Sequence, residues 1–111
     1  MISTQIIQAI NKAETYPYIV RVGVFGSHAR GEATSTSDVD ILIDYDNSCD
    51  DFLDNIDNFM EDVEMLIPTK IDYVTLPGLM KSRDEGFRYE VLRDIKWIYD
   101  SRNTSHDVPK Y

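Results

Sequence analysis

The sequence predicts an α/β (α+β) domain: a small mixed sheet of about four strands with helices mostly on one face. Three observations carry this expectation. Ile19-Val20-Arg21-Val22-Gly23-Val24-Phe25 is an apolar run with the composition of a buried strand. Asp38-Val39-Asp40-Ile41-Leu42-Ile43 is a second strand that opens on two carboxylates. Phe52, Leu53, Ile56, Phe59, Met60 and Val63 recur at helical spacing, with acids filling the opposite face.

Taken in order, Ile2 to Ala13 reads as a helix that Ser3 or Thr4 can cap, with Ile2, Ile6, Ile7, Ala9, Ile10 and Ala13 on its apolar side. Pro17 bars its continuation. Tyr18 to Phe25 is the first strand. Ser27 to Arg30 is a short helix ended by Gly31, and the small polar stretch Glu32 to Ser37 is expected to be a mobile loop over the site. Asp38 to Tyr45 is the second strand. Asn47, Ser48 or Asp50 can cap the long helix that follows, and Pro68 closes that region. Lys70 to Thr75 is the third strand and Pro77-Gly78 a turn. Leu79 to Arg93 reads as one helix, weakened by Gly86, and Ile95 to Tyr99 as an edge strand. Residues 1–100 form the folded domain on this reading. Ser101 to Tyr111 is polar, has no apolar period and reads as a flexible tail.

The chain has 111 residues, the length of one domain with a modest core. No apolar run is long enough to span a membrane, and the N-terminus lacks the basic and apolar regions of a signal peptide. A single cysteine, Cys49, rules out an intrachain disulfide and makes a cytoplasmic setting the default. Cys49, His28 and His106 do not have the spacing of a zinc site. The net charge is −9, and it is concentrated. Asp44, Asp46, Asp50, Asp51, Asp54, Asp57, Glu61, Asp62 and Glu64 come with no Lys or Arg among them, whereas eleven acids and eleven bases balance elsewhere. Such a surface repels nucleic acid and argues against stable binding to it. It is either a solvated helix face or a docking patch for a basic partner.

Strand alternation points Asp38 and Asp40 the same way, about 7 Å apart by strand rise, while Val39, Ile41 and Ile43 point into a core. Two such carboxylates need a cation, a shared proton or open solvent. A hard divalent ion such as Mg²⁺ takes oxygen ligands and commonly shares them with substrate phosphates. Gly26-Ser27, where a strand turns into a helix, offers free backbone N–H groups and a hydroxyl, a natural phosphate site. Asp72, between Ile71 and Tyr73 on the third strand, is either exposed or a ligand. Arg30 either contacts a phosphate or the acceptor, or pairs with Glu32. Asp44 and Asp46, past the strand end, read as surface acids, and Tyr73, Trp97 and Tyr99 as packing residues in preference to a base-stacking platform.

Gly26-Ser27, ten intervening residues and then Asp38-x-Asp40 resembles the signature of the polymerase beta-like nucleotidyltransferases. The fuller string Gly26-Ser27-His28-Ala29-Arg30-Gly31, ending in Ser37-Asp38-Val39-Asp40-Ile41-Leu42, resembles the smallest members, the minimal nucleotidyltransferases. The resemblance is specific over residues 23–44 and collinear to about residue 99. It implies that fold, and Asp72 as the third carboxylate of a catalytic and metal-binding triad with Asp38 and Asp40. It implies two Mg²⁺ ions, ATP as substrate, and Gly26, Ser27 and Arg30 beside Asp38 and Asp40 in the nucleotide site. By resemblance the chain is a protein adenylyltransferase antitoxin. Its partner is a HEPN-domain RNase toxin, with which a hetero-oligomer can form, and its acceptor a hydroxyl, by resemblance a tyrosine. The alternatives are an antitoxin that neutralises its partner by contact alone and an enzyme for a small-molecule acceptor. Against the latter, 111 residues leave little chain to enclose a pocket.

Overall fold

The computed structural model describes residues 2–48 and 50–103. Cys49 and the expected tail beyond 103 lie outside the described residues. The first helix is shorter than its apolar pattern. Ser3 is its N-cap, its hydroxyl accepting the Ile6 N–H at 3.2 Å, so α1 runs Thr4–Ile10. The chain then tightens into a 3-10 helix, Asn11–Thr15, ahead of Pro17. The remaining elements are β1 (Ile19–Phe25), α2 (Gly26–Arg30), β2 (Val39–Tyr45), α3 (Phe52–Leu66), β3 (Ile71–Thr75), α4 (Leu76–Lys81), α5 (Glu85–Asp94) and β4 (Lys96–Asp100). A last 3-10 turn, Ser101–Asn103, extends the ordered backbone past β4, with Arg102 donating to the Asp100 carboxylate.

The four strands form one mixed sheet in the order β3-β2-β1-β4. Strand β1 is antiparallel to both neighbours, and β2 and β3 are parallel, joined by the long helix α3. Alternation along β1 and β2 sends Val22, Val24, Val39, Ile41 and Ile43 to one face, where they pack with Ile6 and Ile10 of α1 and Ile56, Phe59 and Val63 of α3. This is the larger core. On the opposite face Phe25 and Leu42 form a smaller cluster with Leu79 of α4 and Val91 of α5. Among the described residues no helix is long and apolar enough to cross a membrane.

The single helix expected over Leu79–Arg93 is two helices, and the turn expected at Pro77-Gly78 is the first turn of α4. Local capping explains both differences. Thr75 Oγ1 accepts the Gly78 N–H at 3.2 Å, and Pro77 occupies the first turn, where its missing donor costs nothing. Ser82 is extended (ψ 141°) and ends α4, and Asp84 starts α5 by accepting the Phe87 N–H at 2.9 Å. Gly86 therefore lies near the start of α5 and interrupts no helix.

Gly23 is buried where the β1–β4 register shifts. A Cβ there would stand 2.7 Å from Ile95 Cδ1 and 2.8 Å from the Lys96 carbonyl oxygen. The side chain can rotate away but the carbonyl cannot. Gly23→Ala is expected to destabilise the fold by about 1–3 kcal/mol, read from the urea unfolding midpoint.

Candidate active site

The site begins where β1 ends. Phe25 is extended (φ −130°, ψ −175°) and starts α2 without a side-chain cap, which leaves first-turn N–H groups without that partner. Gly26 has φ 74°, a conformation open to glycine and strained for other residues. A Cβ on Gly26 would press into Asp40 Oδ2 and come within 3.2 Å of its Cγ. The glycine turn and the carboxylate are thus in direct register, as the pairing of Phe25 with Asp40 requires.

Parallel pairing places Asp72 beside Asp40, with Val39 opposite Ile71 and Leu42 opposite Val74. Asp38 lies one residue ahead of β2. Asp38, Asp40 and Asp72 therefore share the face that bears Leu42 and Val74. The Asp38 and Asp72 side chains are 45% and 47% exposed, and all three acids are partly buried as residues. Burial first, then the charges of Asp72 and Asp38, push the Asp40 carboxyl above its ordinary range, and His28 and Arg30 pull it partly back. Lys70 Nζ lies 3.6 Å from Asp72 Oδ1 and 3.9 Å from Asp38 Oδ2. Sequence reasoning passed over this lysine, although it stands two residues before Asp72 in a strand pattern and so on the same face.

Three carboxylates offer hard oxygen donors only, the class a divalent ion such as Mg²⁺ takes, and two of them already share a cationic group. The donor chemistry fits the ion. Among the described residues no three carboxyl, imidazole or thiol groups converge into a formed metal cage as they stand.

Arg30 takes the surface alternative and extends it. Its Nε donates to Glu32 at 2.9 Å and its Nη1 to Asp94 at 2.8 Å, which ties α2 to α5. Arg93, then Arg30, hold the Asp94 carboxyl down to about 2. His28 Nε2 is buried without a hydrogen-bond partner among the described residues. The Thr34, Thr36 and Ser37 hydroxyls bond within their own turn: Ser37 Oγ accepts the Thr34 N–H at 2.8 Å, and the Thr34 and Thr36 hydroxyls are 3.2 Å apart. The aromatics are packing residues. The Tyr73 hydroxyl is 3.2 Å from both the Met60 carbonyl and Glu64, Trp97 lies under the Arg21 guanidinium at 4.0 Å, and Tyr99 is buried. Asp44 pairs with Arg21 at 3.1 Å, and Asp46 accepts the Ser48 N–H.

Two outcomes follow from this geometry. A carboxyl whose pKa is raised on folding stabilises the fold while protonated, and that contribution is lost as pH rises from the ordinary carboxylate range through the raised value. Asp40→Asn should therefore raise the melting temperature at pH 7 in chelator-treated buffer and give no such gain at pH 3; a gain of equal size at both would remove the electrostatic cause. Gly26→Val should cost about 1–3 kcal/mol of stability through the strained φ and the Asp40 contact, read from the urea unfolding midpoint.

The comparisons with known proteins bear on the family and the fold. The family described as Polymerase beta, Nucleotidyltransferase matches residues 7–104. The protein adenylyltransferase MntA of Thermococcus cleftensis is 36% identical over 80 residues, which span 69% of this chain and 72% of that protein. A solved structure assigned as a minimal nucleotidyltransferase superposes with a TM-score of 0.61 at 30% identity, covering 81% of this chain and 86% of that one. A complex of a tri-AMPylated Shewanella oneidensis HEPN toxin with its MNT antitoxin gives a TM-score of 0.51 at 15% identity, over 89% of this chain and 76% of that one, a likeness of fold alone. A family match across nearly the whole chain, on a sheet that sets a glycine turn against carboxylates from two strands, makes this chain a member of the polymerase beta nucleotidyltransferases.

Proposed function

We propose that this nucleotidyltransferase acts on a protein. It transfers AMP from ATP to a hydroxyl, on our reading a tyrosine, of a cognate HEPN-domain RNase toxin in the cytoplasm, and so serves as that toxin's antitoxin. The observation that carries the reading is the openness of the acid cluster: the Asp38 and Asp72 side chains are nearly half exposed beside the Gly26 turn. A hydroxyl on a partner's surface can reach such a site without an enclosing pocket. The acids of α3 and its approach disfavour a nucleic-acid acceptor. The relative named a protein adenylyltransferase and the structural neighbour bound to an AMPylated HEPN toxin support the same class of acceptor.

In this reading the first N–H groups of α2 and the Ser27 hydroxyl hold the β- or γ-phosphate. Gly26 lets that backbone come close without a side chain in the way. Asp38, Asp40 and Asp72 are the residues that would hold Mg²⁺, on our reading two ions, which when bound neutralise triphosphate charge and make the acceptor hydroxyl more acidic. Asp72, nearly half exposed and beside Asp40, accepts the hydroxyl proton. The acceptor oxygen bonds to the α-phosphorus as its bond to the bridging oxygen breaks, and pyrophosphate leaves. Arg30, held by Glu32 and Asp94, keeps a positive charge near Asp40 and the phosphates. The product carries a phosphodiester charge on the toxin, which opposes RNA phosphates at an RNase site.

The test mixes this protein, Mg²⁺, ATP and a HEPN RNase encoded beside it. Label from the α-phosphate should end on the RNase, label from the γ-phosphate should not, and RNase activity should fall in step. Asp38→Asn with Asp40→Asn should abolish the transfer and leave the fold intact. Silencing that proceeds equally without ATP would establish neutralisation by contact instead, and γ-label on the RNase would make the chain a kinase.

A further inference from the structure

The acid cluster already carries a cation of the chain's own. Lys70 directly precedes β3, and its carbonyl accepts the Val39 N–H at 2.9 Å, which anchors its backbone beside the start of β2. Strand alternation then puts its side chain on the face of Asp72. The ammonium reaches both Asp72, at 3.6 Å, and Asp38, at 3.9 Å. Among the described residues these are the only ion pairs that Asp38 and Asp72 make. The lysine side chain is 70% exposed, and pairs so exposed add little to the stability of a fold. Its placement makes more sense as electrostatics of the site, where three like charges gather within one corner of the sheet.

We propose that Lys70 is an internal counter-ion of the site, spanning Asp38 and Asp72, and that a divalent cation must displace its ammonium to bind there. The inference rests on the reading of Asp38, Asp40 and Asp72 as the cation ligands. Lys70 relieves repulsion among the carboxylates while no divalent ion is bound. It also draws Asp38 and Asp72 toward its own charge, consistent with the lack of a closed cage among the described residues. The same ammonium repels an arriving divalent ion, so it raises the ion concentration at which the site fills. The lysine stem is flexible and solvated, so its charge can leave without unfolding β3.

The test measures Mn²⁺ binding to the nucleotide-free protein by the loss of the free-ion electron paramagnetic resonance signal, with no turnover involved. Lys70→Met should tighten binding by about threefold to tenfold, the range expected for removing one near but exposed like charge. Lys70→Arg, which keeps the charge, should bind as the wild type does. Lys12→Met makes the same change of net charge in the 3-10 helix Asn11–Thr15 and should leave the affinity unchanged. Equal or weaker binding by Lys70→Met, while Asp40→Asn loses binding, would overturn the counter-ion role and leave the ligand reading standing. A gain in Lys12→Met as large as that in Lys70→Met would overturn it too, since net charge alone would then be the cause. If the wild type and all variants fail to bind Mn²⁺ at millimolar concentration, the ligand reading falls and the counter-ion role falls with it.

Discussion

Everything at the site depends on a contact in which only hydrogen fits. Gly26 directly follows β1 and Asp40 lies on the adjacent antiparallel β2, and the Asp40 carboxylate occupies the space a side chain on residue 26 would need. That closeness is set by register. Val39, Ile41 and Ile43 are fully buried against α1 and α3, and burying them aims Asp38 and Asp40 at the other face. A slip of one residue would bury the acids and expose the aliphatics, so the large core resists it. The chemistry is held in place by ordinary apolar packing on the far side of the sheet.

The near side is lashed down by smaller means. Phe87 of α5 meets Phe25 edge-on at 6.3 Å, immediately before the Gly26 turn. Arg30 of α2 reaches Asp94 at the end of α5. These contacts bracket α2 between the sheet and α5, so the short helix does not depend on its own few hydrogen bonds. The acids are less uniform than their count suggests. Asp44 holds Arg21, Asp62 accepts the Tyr16 hydroxyl and Glu64 lies beside the Tyr73 hydroxyl, so part of the negative charge pins α3 and β2 to the core. The exposed acids of α3 remain for solvent or for a partner.

Strand existence was legible because β1 and β2 are largely apolar, and the paired acids stood out against them. Asp72 was legible only as a polar residue in an apolar strand; its place beside Asp40 depends on the parallel register of β2 and β3, which no local pattern states. Lys70 was passed over for the same reason, since its partner Asp38 is distant in sequence. The break between α4 and α5 was legible only as the polar run Lys81 to Gly86, because what divides the helices is the extended Ser82 and the single cap Asp84. Arg30 was ambiguous between phosphate and surface. Glu32 is visible two residues on, but Asp94 becomes a partner only when α5 packs beside α2.

The parallel pairing of β2 with β3 also sets the order in which the molecule can become whole. The glycine turn and the first two acids belong to neighbouring antiparallel strands and come together from one continuous stretch of chain. The third acid and the lysine arrive only after α3 has crossed the sheet and β3 has been laid against β2, a non-local step that forms slowly compared with hairpins. A nascent chain still short of Lys70 would thus carry the Gly26 turn and the first two acids with neither Asp72 nor Lys70 to complete the cluster.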